Sequence, residues 1–280
     1  MEKSFQDSSC EEDRVLCVLQ SSPYPHEIQH WHGAVRQHFS IVDSTQIQAG
    51  SLINVLPQDR WLILSAEEQT AGRGSHNRRW ASPPRVNLYV TFVLPFPKKS
   101  SEKLFFVSQV ANIAVARTVK KFGFDPEIKW PNDLMLNKKK VSGILSENKT
   151  LDGAADYSAL LIGIGLNVNM DKSVGESLDQ PVTSLSVEAN RLFEKEEILP
   201  FLYQDLKECI GQLLEKGFSD FHHELNSMLA FKGETIIVDR DVGEPLQGIF
   251  VGIDEMGRMK LQVTQDKIIS IQDGRIRKRS

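Results

Sequence analysis

Lys129-Trp130-Pro131-Asn132-Asp133-Leu134-Met135-Leu136-Asn137-Lys138-Lys139-Lys140-Val141-Ser142-Gly143-Ile144-Leu145-Ser146-Glu147 reads as two extended segments joined by a polar turn. Trp130-Pro131 demands an extended approach, because a proline disfavours helical backbone in the residue before it. Asn132 and Asp133 then offer polar groups on a tight turn. Asn137 with the three lysines has the composition of a solvated turn, and Val141 to Leu145 is apolar enough for a buried strand. A hairpin built this way brings Lys140 back beside Asp133.

Working outward, Arg60 to Ala66, Val86 to Leu94 and Ala159 to Val168 are apolar, β-branched runs of the kind buried in one main sheet. Between them, Leu104, Val107, Val110, Ala114 and Val119 recur at helical spacing, predicting a helix over 101–122 that stops at Gly123. Leu199, Leu202, Leu206, Ile210 and Leu213 predict another over 194–216, ended by Gly217, with a third over 219–231. After Gly233 the pattern changes to short strands, with turn signals at Glu255-Met256-Gly257 and Asp273-Gly274. The expected organisation is an N-terminal segment 1–26, partly flexible to about residue 22, a domain 27–231, and a small β-barrel domain 232–280. The fold class is therefore α+β, a mixed β-sheet domain flanked by helices with a C-terminal barrel.

Bulk properties narrow the function. The 280 residues carry a formal net charge of −4, against the basic balance that phosphate neutralisation usually requires, so nucleic acid is not the expected partner. Three scattered cysteines, Cys10, Cys17 and Cys209, give neither a disulfide framework nor paired zinc-ligand spacing, and a reducing cytoplasm is the expected compartment. No apolar run approaches the roughly 18 residues of a membrane span.

Two glycine-bearing segments and one decoy remain. Glu67 to Trp80 interleaves Gly72 and Gly74 with Arg73, Arg78 and Arg79; its composition fits a phosphate-binding loop and a solvated surface loop equally. It matches neither the Walker nor the Rossmann pattern. Gly163 and Gly165 sit at a strand end, where missing side chains would leave room for a flat ligand. His26-Glu27-Ile28-Gln29-His30 matches the H-E-x-x-H zinc motif, but Arg36 stands where the longer pattern has a third ligand, so an amphipathic helix is expected and no metal site.

Asp43-Ser44-Thr45, Gln69-Thr70-Ala71-Gly72-Arg73-Gly74, Lys129 to Leu134, Lys140 to Glu147 and Gly163 to Val168, in this order and spacing, resemble the biotin–protein ligases from residue 41 to the C-terminus. The resemblance is to the ligase-only class, since the stretch before Asp43 is too short for the DNA-binding domain and linker of the larger bacterial members. It implies a catalytic domain of the class II aminoacyl-tRNA synthetase and biotin ligase type with an SH3-like C-terminal barrel. It further implies that biotin is activated by ATP, with Mg²⁺, as biotinyl-5′-AMP and transferred to a lysine of a carboxylase's biotin carboxyl carrier domain. Ser44, Thr45 and Gln69 would bind the ureido ring, Gly72 and Arg73 would lie near the carboxylate, and Lys140 would be the central catalytic cation. Arg78, Trp80, Asn132, Asn167 and Arg279 match positions around the adenylate.

Physically, a carboxylate attacking a phosphate needs cations between the two anions, and Arg73 and Lys140 supply them. The acceptor lysine must attack uncharged; Asp133 is the candidate proton acceptor, with a turn cap as its alternative role. Ser75, Asn77 and Gln46 depart from the family's common arginine, glycine and asparagine. Lipoate–protein ligation, on the same fold, and non-catalytic biotin binding are the competing functions. Homodimerisation stays open.

Overall fold

The computed structural model describes residues 16–55, 59–76, 78–176, 180–240 and 242–278; Asn77 and Arg279 lie outside them, as does the first part of the expected flexible segment. The large sheet comprises β1 (His26–Trp31), β2 (Ala34–Phe39), β3 (Leu62–Ala66), β4 (Leu88–Pro97), β5 (Glu127–Lys129), β6 (Asp133–Leu136), β7 (Lys139–Thr150) and β8 (Tyr157–Leu166), in the spatial order β1-β2-β3-β4-β8-β7-β6-β5. The sheet is mixed: β2 and β3 run parallel, whereas β1–β2, β3–β4, β5–β6 and β6–β7 are antiparallel. The chain divides into two compact units. One runs to Ser101 and takes in Leu145–Gly165; the other comprises Glu102–Ile144 and the chain from Leu166 onward.

In the first unit, β3 is buried at every residue, as its unbroken apolar run requires of a strand covered on both faces. Residues 16–20 form a short helix, α1. The parallel β2–β3 step needs a crossover, and the segment between them contains α2 (Thr45–Ser51). Leu19, Phe39, Val42, Ala49, Leu64 and Leu161 share one apolar core. Leu19 is 1 % exposed and its carbonyl accepts from the Gln37 side chain at 2.9 Å, so packing reaches back beyond the start near residue 27 expected from sequence.

A second correction concerns His26 to His30, which forms the edge strand β1 and not an amphipathic helix. The cause is the turn that follows: His32 and Gly33 both take left-handed backbone, φ 49° and 80°, which closes a two-residue hairpin onto β2. Four residues along a strand separate His26 from His30 by about 13 Å, too far to share an ion. Among the described residues no three His, Cys, Asp or Glu side chains gather as a metal site.

In the second unit, α3 (Val107–Lys121) begins later than the predicted residue 101, because the polar Lys98–Phe106 stretch forms 3-10 turns with Ser100 out of helical geometry. The short helices α4 (Lys172–Glu176) and α5 (Leu185–Ala189) precede α6 (Lys195–Lys216), which ends at Gly217, φ 84°, as predicted. The third predicted helix is α7 (Ser219–Ser227), shorter than 219–231. Asp205 of α6 accepts from Thr118 at 2.7 Å and pairs with Lys121 at 2.6 Å, while Arg117 pairs with Glu224 of α7 at 2.7 Å. These polar ties fix α3 against its two neighbours.

Beyond Gly233, β9 (Thr235–Asp239), β10 (Leu246–Ile253), β11 (Met259–Thr264), β12 (Lys267–Ile271) and β13 (Arg275–Lys278) form an antiparallel sheet in the order β12-β11-β10-β9-β13. Gly257, φ 69°, turns β10 into β11, and its carbonyl accepts from both the Trp130 indole and the Gln109 amide, each at 3.0 Å. Among the described residues no helix is long and apolar enough to cross a membrane.

Burial pushes the Cys209 thiol up to about 12, so almost no thiolate is present near neutral pH. In the native protein, iodoacetamide followed by peptide mapping should label the exposed Cys17 and leave Cys209 unmodified until denaturant is added. Prompt labelling of both would contradict this burial.

Candidate active site

The first unit gathers a set of neutral polar side chains beneath a basic loop. Val42 pairs with Gln69 as a parallel bridge, so Ser44 and Thr45, at the start of α2, are brought beside the segment leading into the glycine loop. Gln69 Oε1 accepts from the Thr45 amide at 2.9 Å and its hydroxyl at 3.2 Å; Gln69 Nε2 donates to Ser82 at 2.9 Å. Thr91, fully buried on β4, shares its hydroxyl proton between Thr45 Oγ1 at 2.9 Å and Gln46 Oε1 at 3.1 Å. Gln46 Nε2 donates to Glu147 Oε2 at 2.8 Å.

Ser44 stands apart from this chain of bonds. A serine preceding a helix ordinarily caps it by accepting from a backbone N–H. Ser44 makes no such cap bond, and its Oγ is fully buried without a hydrogen-bond partner among the described residues. A buried hydroxyl left in that state costs about 1–3 kcal/mol, so a donor or acceptor from a ligand would have a ready partner there.

Above this set the glycine loop doubles back on itself. Arg73 and Arg79 pair as an antiparallel bridge, and Trp80 N–H donates to Gly72 O at 2.8 Å. A side chain at Gly72 would meet Trp80 O at 2.6 Å, so the close approach demands glycine. Arg78 donates to the Ser75 carbonyl at 3.1 Å and hydroxyl at 3.0 Å, and Arg79 to Thr70 O at 2.6 Å. Arg73 lies 3.6 Å from Glu147.

The second unit holds the lysine hairpin. Asn137 and Lys138 both have left-handed backbone, φ 49° and 61°, making a two-residue turn from β6 to β7. Asp133 pairs with Gly143, and an irregularity between Leu134 and Met135 puts Met135 opposite Lys140. Lys140 Nζ lies 2.6 Å from Asp133 Oδ1, with the two side chains 11 % and 13 % exposed. Lys138 and Lys139 are exposed, and Lys138 reaches Glu234 at 3.2 Å. The solvated-turn reading thus fits two lysines of the run and fails for the third.

Backbone bonds on both sides hold Lys140: its N–H donates to Pro181 O and its carbonyl accepts from Thr183, each at 2.9 Å. Asn167 Nδ2 donates to Thr183 O at 3.0 Å, and Asn132 Nδ2 to Ile144 O at 2.8 Å. Each of these amides braces the backbone around the lysine.

The family model for the biotin/lipoate A/B protein ligases matches residues 39–167. The chain is 32 % identical to the biotin–[acetyl-CoA-carboxylase] ligase of Paracoccus denitrificans over 224 residues, 79 % of this chain and 91 % of that one. It belongs to the biotin/lipoate A/B protein ligase family. It is also 30 % identical over 208 residues to the bifunctional ligase/repressor BirA of Escherichia coli, of whose length it spans 62 %. Among solved structures, the biotin protein ligase of Aquifex aeolicus, in complex with biotin and ATP, is similar with a TM-score of 0.73 and 27 % identity, over 86 % of this chain and 97 % of that one.

For a member of this ligase family, the glycines of β8 carry an unexpected load. A Cβ at Gly165 would lie 2.3 Å from the Trp80 ring, and one at Gly163 would lie 2.6 Å from Gln46 Oε1. The room over the strand expected for a flat ligand is taken by the chain's own Trp80 and Gln46. Sequence reasoning missed Thr91 and Glu147; Glu147 closes the stretch that decides the hairpin, yet only the fold reveals its partners. Gly165→Ala should displace the Trp80 indole, shifting Trp80 fluorescence against a Trp80→Phe reference and costing about 1–3 kcal/mol from overpacking. Unchanged fluorescence and stability would mean that the contact is not tight.

Proposed function

We propose that this chain is an ATP-dependent biotin–protein ligase, which forms biotinyl-5′-AMP and pyrophosphate and then transfers biotin to one lysine of a biotin carboxyl carrier domain of a carboxylase. The observation that carries the reading is the buried Lys140–Asp133 pair, held at 2.6 Å by a two-residue hairpin turn. A cation fixed in a largely water-excluded place stabilises the charge that builds up when a carboxylate attacks a phosphate. The Paracoccus and Aquifex proteins, both named as biotin ligases, support the same reading.

In this reading Ser44, Thr45 and Gln69 recognise the ureido ring. The unpartnered Ser44 hydroxyl and the threonine–glutamine bonds suit a small neutral group that both donates and accepts. Gly72 gives close backbone approach, and Arg73 faces the biotin carboxylate. Arg78, Trp80, Asn132, Asn167 and Arg279 serve the adenylate. Mg²⁺ enters with the ATP phosphates and offsets their charge. In the transfer step the acceptor amine, with an unperturbed value of about 10.4, must lose a proton before it attacks, and Asp133 accepts that proton. Residues 27–231 form the catalytic domain and 232–280 an SH3-like barrel, a reading supported by the five antiparallel strands after Gly233.

With biotin and ATP alone, pyrophosphate should appear before any acceptor is added. Lys140→Ala should slow that release by about 100-fold or more, the scale of losing one preorganised charge stabiliser. Lys138→Ala and Lys139→Ala should change it by less than about threefold, as surface substitutions usually do. Equal losses at all three positions would reduce the lysines to a solvated charge run, and no release by the wild type would remove the ligase reading.

A further inference from the structure

The Gln46 side chain is one methylene longer than an asparagine, and that length has a visible consequence. The longer amide lies over Gly163 and reaches Glu147 Oε2 at 2.8 Å, while its own oxygen is held by Thr91 at 3.1 Å. Gln46 is 4 % exposed, so this amide is fixed at both ends inside the protein. The other carboxylate oxygen, Glu147 Oε1, faces Arg73 Nη2 at 3.6 Å. That is beyond hydrogen-bond range, so charge orients the guanidinium without the bidentate fork that an arginine and a carboxylate otherwise form.

We propose that Glu147 is a positioning residue for Arg73, and that Gln46, by binding one oxygen of Glu147, keeps the carboxylate from closing on the arginine and competing with the anionic ligand. This rests on the reading that Arg73 meets a carboxylate or phosphate. An asparagine at position 46 is shorter by about 1.5 Å, one carbon–carbon bond, and would lose Glu147. The freed carboxylate would then pivot and take Arg73 in a fork. Removing its charge would undo that capture.

Four proteins decide the matter: wild type, Gln46→Asn, Glu147→Gln and the double variant. Biotin-dependent ATP–pyrophosphate exchange should fall about tenfold in kcat/KM for biotin in Gln46→Asn, the equivalent of one lost charge-assisted contact. Glu147→Gln should be milder, and the double variant should recover most of the loss in Gln46→Asn. A merely structural role predicts the opposite, with the two losses adding and no recovery. An activity-independent reading comes from phenylglyoxal, which modifies exposed guanidiniums. Arg73, followed by peptide mapping, should react several-fold more slowly in Gln46→Asn than in wild type, since a forked arginine is shielded, and should regain its reactivity in the double variant. Unchanged Arg73 labelling in Gln46→Asn would overturn the proposal. Wild type that lacks exchange yet shows the labelling pattern would instead overturn the ligase reading alone.

Discussion

The register of a single hairpin is the constraint on which the buried Lys140–Asp133 pair depends. Asn137 and Lys138 occupy left-handed backbone, and a two-residue turn of this kind leaves the strands no freedom to slide. A slip of one residue would send Lys140 to the opposite face and put Lys139 or Val141 against Asp133. The bonds from Pro181 and Thr183 to the backbone of Lys140, and from Asn132 to Ile144, pin the same register from outside. Removing one partner of a buried ion pair typically costs about 3–5 kcal/mol because the other charge is left uncompensated, so neither Lys140 nor Asp133 can be replaced alone without cost.

The other polar cluster works by a different principle. Thr45, Gln46, Gln69 and Thr91 carry no charge: the Thr91 hydroxyl donates to Thr45 Oγ1 and Gln46 Oε1, and the Thr45 N–H and hydroxyl donate to Gln69 Oε1. Thr45, Gln46 and Thr91 can be buried because each is satisfied by its neighbour. At its margin Gln46 bonds to Glu147, which faces Arg73, and both charged groups are partly exposed. In the proposed function, this neutral surface edged by charge would separate selection of a ligand's ring from handling of its acidic end.

The legible parts of the molecule were those where short-range rules settle the matter. Proline before a polar pair, an asparagine-led turn and an apolar strand were enough to place Lys140 against Asp133, and the leucine spacing of 199–213 was enough for α6. Strands β3, β4 and β8 and the centre of β7 follow from their unbroken apolar runs, whereas β2 and β5 have no such run. Other features depend on partners distant in sequence. Glu147 gains meaning from Gln46 and Arg73, and Gly165 from Trp80; nothing local in either segment encodes those contacts. His26 to His30 forms a strand because the His32-Gly33 turn closes it onto β2, which overrides the helical spacing of the motif. The 3-10 stretch before α3 shows the same lesson from the other side, since a periodic apolar pattern does not say where a helix begins.

The carbonyl of Gly257 serves two donors, the Trp130 indole and the Gln109 amide, that lie far back in the chain. Both are almost completely buried. The small terminal sheet is therefore no interchangeable module. An engineer who grafted another domain after residue 232 would leave both donors without their acceptor, at about 1–3 kcal/mol each where the graft keeps them buried, directly beside the proline that leads into Asn132 and Asp133. A replacement would have to return one backbone oxygen to the same point in space, a requirement on geometry that no comparison of sequences between donor and host would reveal.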